Sequence, residues 1–181
     1  MTEHPDAPAG KATKYARVER ERRFLLRDVP EETPTRRVLI EDRYLRGTRL
    51  RLRRSTNLDD PDDVIYKLTQ KVPAADGTPG LITNTYLSRA EYDTLAAIPA
   101  DTIRKTRASI PPLGVDRFEG ALRGLVLAEA EFDDEVSQTG FEPPVEVVVE
   151  VTADPRFTGG ALARMTAAGL AELLRGFAIR R

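Results

Sequence analysis

The stretch "KYARVERERRFLL", residues 14–26, decides how this chain is read. At the two-residue period of a strand it sets Arg17, Glu19, Glu21 and Arg23 on one face, and Ala16, Val18, Arg20, Arg22 and Phe24 on the other. Like charges side by side on one strand face repel. Something must hold Glu19 and Glu21 there, and the rest of the chain indicates what.

A chain of 181 residues suits one domain with a sizeable core. Residues 1–13 read as a disordered tail and 14–181 as a single domain. No apolar run approaches the roughly 20 residues of a spanning helix, and the polar, Pro-rich start lacks the apolar stretch of a signal peptide, so a cytoplasmic protein with no membrane partner is expected. With no cysteine and only His4, thiolate chemistry, Cys or His zinc sites and a Ser-His-Asp triad are all unsupported. The 28 basic and 29 acidic residues leave a net charge of −1, which argues against general nucleic-acid binding. Charged residues still make up 31% of the chain, so their arrangement carries the information.

Beyond the opening stretch, "RRVLIEDRYL" (36–45) and "TRLRLRRS" (48–55) flank the turn signal "RG" as an antiparallel hairpin. "VIYKLTQKV" (64–72) and "LITNTYL" (81–87) follow as strands, separated by the loop "PAADGTPG" (73–80). "SRAEYDTLAAI" (88–98) reads as a helix opened by a Ser88/Glu91 capping box. "TIRKTRASI", "LGVDRFEG", "LVLAEAEF" and "PVEVVVEVT" complete the strands, and "GALARMTAAGLAELLRGF" (160–177) has the spacing of one amphipathic terminal helix. About eight or nine strands without βαβ alternation predict an antiparallel barrel or sandwich.

The charges are sorted by strand. Arg49, Arg51 and Arg53 alternate with Leu50 and Leu52, Lys67 and Lys71 alternate with Leu68 and Val72, and Glu129, Glu131 and Asp133 alternate with Ala130 and Phe132. If the sheet closes with these ionic faces inward, the basic strands suit a polyphosphate and the acidic ones an oxygen-ligated divalent cation.

With these features, "VERERRFLL" resembles the Glu-x-Glu-x-Lys signature of the CYTH domain, the triphosphate tunnel metalloenzymes. The likeness runs on in order through "RLRLR", "YKLTQK", "RKTR", "VDRFEG", "LAEAEF" and "VEVTADPRF", most of residues 14–165. The resemblance implies a mainly β fold, a closed eight-stranded antiparallel barrel with a few flanking helices, and a charged tunnel acting on a triphosphate with Mg2+ or Mn2+. It implies catalytic roles for Glu19, Glu21 and Arg23, and phosphate contacts for Arg51, Arg53, Lys67, Lys71, Lys105 and Arg107. It implies metal ligation by Glu19, Glu21, Glu129, Glu131 and Glu150, with Asp116 a further acid.

The expected activity is divalent-metal-dependent hydrolysis of inorganic triphosphate, polyphosphate, or a nucleoside or thiamine triphosphate. The alternatives are adenylate cyclase chemistry on the same scaffold and a polyphosphate-binding module with little turnover. A homodimer is a possible assembly. Three positions depart from the family pattern: Arg23 replaces lysine, and Thr83 and Thr85 stand on a strand where several members carry paired acids.

Overall fold

Alternating apolar and polar residues give long strands, and in the computed structural model these pair into one antiparallel sheet. The structure describes residues 15–73, 80–144 and 146–179, so the expected tail and most of the 73–80 loop lie outside it. The strands are β1 (Arg17–Val18), β2 (Glu21–Leu26), β3 (Arg36–Leu45), β4 (Leu50–Asn57), β5 (Val64–Val72), β6 (Leu81–Leu87), β7 (Ala100–Ile110), β8 (Leu113–Phe118), β9 (Val126–Glu131) and β10 (Val147–Glu150). The helices are α1 (Arg89–Ala96), α2 (Glu135–Gly140), α3 (Gly159–Leu162) and α4 (Ala167–Arg175). The sheet order is β1-β6-β5-β4-β3-β7-β8-β9-β2-β10. The "RG" turn joins β3 to β4, with Gly47 in the left-handed region at φ 73.

This differs from the expected closed eight-stranded barrel, since among the described residues the sheet has ten strands and hydrogen bonds do not close it. The strand expected across residues 14–26 breaks in two. β1 pairs with β6, whereas β2 pairs with β9 and β10. The switch falls between two residues: the Glu19 N–H donates to the Gly80 carbonyl (2.9 Å), and the Arg20 carbonyl accepts from the Phe132 N–H (2.9 Å). One covalent segment therefore belongs to both ends of the sheet and curls it into a cup.

The inner face of the sheet is apolar at one end. There Leu25, Ile103, Phe118 and Leu127 pack on Phe157, Leu162, Leu170 and Leu174 of the C-terminal segment. The single terminal helix expected over 160–177 is two helices, because the Thr166 hydroxyl accepts from the Gly169 N–H (3.1 Å) and starts α4 afresh. The outer face carries a second cluster built on Phe24, Leu26, Val115, Val126 and Ala128. Helix α1 opens with the expected Ser88/Glu91 capping box. Among the described residues, no helix is long and apolar enough to cross a membrane.

Gly159, at the start of α3, ties the C-terminal segment to the sheet. A Cβ at this position would collide with the Tyr44 hydroxyl on β3, so only glycine allows the approach. Gly159→Ala should lower stability by about 1–3 kcal/mol, as overpacked interiors do. Adding Tyr44→Phe, which removes the colliding oxygen, should recover part of that loss in thermal melts. An unchanged melting temperature for Gly159→Ala would show that the C-terminal segment does not seat against Tyr44.

Candidate active site

The curled sheet encloses a cavity of about 330 Å³. Its floor is the buried apolar end, with Ile103, Phe118, Leu127, Phe157 and Leu162. Its rim carries the exposed Arg17, Glu131 and Asp133. Between them lie Glu19, Glu21, Arg23, Arg51, Arg53, Lys67, Lys71, Lys105, Arg107 and Glu129. The cavity thus brings together all of the expected site residues except Glu150 and Asp116.

Two buried aspartates anchor the cations. Asp42, 1% exposed, accepts from Arg53 Nε (2.6 Å) and Nη2 (2.7 Å), with Arg51 Nε at 3.7 Å. Asp116, 0% exposed, accepts from Arg107 Nε and Nη2 (both 2.7 Å) and from Lys105 Nζ (2.5 Å). Burial alone would raise the pKa of Asp42, but the guanidinium of Arg53, with Arg51 and Lys105 near it, brings it down to about 2. Sequence reasoning passed over Asp42, although an acid between the inward-facing Ile40 and Tyr44 was a usable signal.

The repulsion between Glu19 and Glu21 is relieved by side chains. Lys71 pairs with Glu19, and Arg23 pairs with Glu21 and lies 3.5 Å from Glu129. Arg23 also donates to the Phe157 carbonyl (3.2 Å), which links the acidic strands to the floor. Glu129 is engaged by Arg107 as well, and against the effect of burial Arg107, Lys105 and Arg23 hold it well below the usual carboxylate range. Lys67 has no hydrogen bond or ion pair among the described residues. Burial, reinforced by Arg53 and Arg51, depresses its ammonium to about 8.

Glu150 lies away from its expected site, Arg20 away from its expected face, and Thr83 and Thr85 outside the cavity. Glu150 pairs in register with Phe24, past an irregularity between Val147 and Val149, and so lies on the outer face. There it accepts from Arg22 Nε (3.1 Å) and Nη2 (2.7 Å), away from the cavity. Thr83 and Thr85 also face away. The register pairs Lys71 with Ile82 and Thr69 with Asn84, so Ile82 and Asn84 occupy the inner face of β6. Asn84 accepts from Thr69 Oγ1 (2.8 Å), which in turn accepts from Arg51 Nη2 (3.3 Å). Arg20, expected outside with Arg22, lines the cavity because the break between β1 and β2 interrupts the alternation.

Among the described residues, no three acidic or histidine side chains are gathered as a ready metal centre. The donor chemistry nevertheless fits a hard cation. Glu21 and Glu131 stand directly opposite each other on β2 and β9, and Glu131 has no hydrogen bond or ion pair among the described residues. A like-charged cross-strand pair is unfavourable by itself and suits an oxygen-ligated divalent ion.

No family model and no curated protein matches the chain. Solved structures do. One, "hypothetical protein NE1496", is 26% identical with a TM-score of 0.53 over 82% of this chain and 99% of its own. A second, "inorganic triphosphatase NE1496", is 24% identical with a TM-score of 0.53 over 82% and 95%. The fold resembles that of the CYTH, or triphosphate tunnel, family. A conserved hypothetical protein from Pyrococcus furiosus is 20% identical with a TM-score of 0.42 over 71% and 94%. In this CYTH-like chain, the tunnel expected of the family is a cup with an apolar floor.

The Asp42 pair makes stability depend on acid. A folded pKa of about 2, against about 3.9 for a free aspartate, contributes about 2.5 kcal/mol above pH 4 that fades as pH falls toward 2. Asp42→Asn should remove that dependence. It should also destabilise the fold at neutral pH by about 3–5 kcal/mol, because the Arg53 charge is left buried and unpaired. Denaturant melts between pH 2 and pH 7 measure both effects.

Proposed function

We propose that the protein hydrolyses a triphosphate in this cavity with the help of a divalent cation. The observation that carries the reading is the convergence of Arg51, Arg53, Lys67, Lys71, Lys105 and Arg107, from β4, β5 and β7, on one enclosed inner face. The solved structure described as an inorganic triphosphatase, similar in fold, supports it.

Arg53 and Arg107 each use Nε and Nη2 on an aspartate, which leaves Nη1 to donate to a phosphate oxygen. Glu21 and Glu131 would hold Mg2+ or Mn2+, with Glu19 and Glu129 beside them. When bound, the ion neutralises charge on the phosphate oxygens and orients a water. Arg23 stays protonated and clamps the acidic strands. Lys67, with its depressed pKa, is the group that accepts a proton from water. The water oxygen bonds to the terminal phosphorus, the bridging P–O bond breaks, pyrophosphate leaves, and one water proton passes to Lys67 Nζ.

A phosphate-release screen over tripolyphosphate, thiamine triphosphate and ATP with Mg2+ or Mn2+ tests this reading. Orthophosphate is expected, with activity lost in chelator. Cyclic AMP and pyrophosphate from ATP would instead indicate cyclase chemistry, and binding without turnover a binding module. Glu21→Gln and Glu131→Gln should each require more metal for half-maximal rate. If both keep the wild-type metal titration, the cation does not sit between β2 and β9.

Lys67 accepts a proton only when neutral, and its neutral fraction grows as pH rises through about 8. The kcat/KM profile of the free enzyme should therefore climb across that range. Lys67→Arg keeps the charge but removes the base, so turnover should fall roughly 100-fold or more with the limb abolished. An unchanged profile in that variant would reduce Lys67 to an electrostatic contact.

A further inference from the structure

We propose that the rim of the cavity is a recognition site for a fourth phosphate, so that linear inorganic polyphosphate of four or more units binds with its free end inward. The proposal rests on the phosphate-binding reading of the cavity and names its substrate class more closely.

The first observation is the floor. Phe157 and Leu162 close the inner end together with Ile103, Phe118 and Leu127, all of them buried. A phosphate chain cannot thread through this apolar end. It enters terminal phosphate first, and whatever follows the third phosphate points back to the rim.

The second observation is what waits at the rim. Arg17 and Arg20 both line the cavity, Arg17 exposed and Arg20 half-buried three residues further along the same segment. Among the described residues neither guanidinium makes a hydrogen bond or an ion pair, although Arg20 lies close enough to Asp134 to favour its charged form. Apart from Lys67, the inner cations differ in this respect, since Arg53 is held by Asp42, Lys105 and Arg107 by Asp116, Lys71 by Glu19, and Arg23 by Glu21. Beside the rim carboxylates Glu131 and Asp133, these two guanidiniums keep their donors available to an anion.

The third observation is how Arg20 comes to be there. On an unbroken strand it would share the outer face with Arg22. The change of hydrogen-bonding partner between Glu19 and Arg20 gives it to the cavity instead. The break that joins the two ends of the sheet thus also adds a cation to the entrance.

A nucleoside triphosphate seated the same way would offer these arginines an uncharged ribose. Phe132, the aromatic ring at this level, already packs edge-on against Phe141, with centroids 5.3 Å apart. A further phosphate supplies the anion that two free guanidiniums fit, through charge-assisted and bidentate contacts.

Calorimetry at one free Mg2+ concentration, with tripolyphosphate, tetrapolyphosphate and ATP as probes, tests this directly. The wild type should bind tetrapolyphosphate roughly tenfold more tightly than tripolyphosphate, and ATP no more tightly than tripolyphosphate. In the Arg17→Gln/Arg20→Gln variant the preference for the fourth phosphate should shrink to roughly threefold or less, while Arg17→Lys/Arg20→Lys should keep more of it. Equal affinity for three and four phosphates in the wild type would overturn the proposal. So would a glutamine variant that weakens both ligands by the same factor, or tighter binding of ATP than of tetrapolyphosphate. If the double glutamine variant fails to fold, Arg20→Gln alone is put to the same comparison. The readout is binding, so a protein that prefers four phosphates but releases none refutes the hydrolytic reading and leaves this one standing.

Discussion

Two buried carboxylates, Asp42 and Asp116, make the rest of the interior possible. Basic side chains crowded on one face of a curled sheet would repel each other, and in a partly desolvated space that repulsion is weakly screened. Each aspartate takes a bidentate arginine and sits close to a second cation, so the positive charge is held without being used up. A guanidinium gripped on one edge keeps its other donors aimed at the cavity. Lys67, which has no such partner, shows what the same surroundings do to an unpaired cation: its charge becomes easier to lose.

Much of this was legible in the sequence because strand alternation is a strong physical signal. Arg51 and Arg53, Lys67 and Lys71, and Glu129 and Glu131 each fall on one face when read at period two, and the curled sheet turns those faces inward. The errors come where alternation is interrupted or its phase is set by a partner strand. Arg20 is displaced by a break that only the two ends of the sheet create. Glu150 is turned outward by an irregularity in the β10 register. The facing of Thr83 and Thr85 is not legible in "LITNTYL", which is apolar or neutral throughout and carries no phase of its own; pairing with β5 supplies it. The split C-terminal helix depends on one hydroxyl cap inside a run of good helix formers.

The C-terminal segment contributes more than stability. By packing on Leu25, Ile103, Phe118 and Leu127 it converts a cylinder into a vessel, and the Gly159 contact with Tyr44 sets how deep that vessel is. Depth determines how much of a linear anion is swallowed before its remainder meets the rim. The Arg23 hydrogen bond to Phe157 ties that floor to the acidic strands, so the base of the cavity is joined to its carboxylate wall.

In a sealed barrel, strand number and shear lock the girth. Here the seam is made by a covalent strip, residues 17–26, whose hydrogen bonds go to one margin up to Glu19 and to the other from Arg20 onward. Among the described residues no continuous ladder spans it, so the join rests on the strip itself. Glu19 and Glu21 straddle the point where the strip changes partner. A cation held by the two carboxylates would therefore bridge the join between the sheet's two margins.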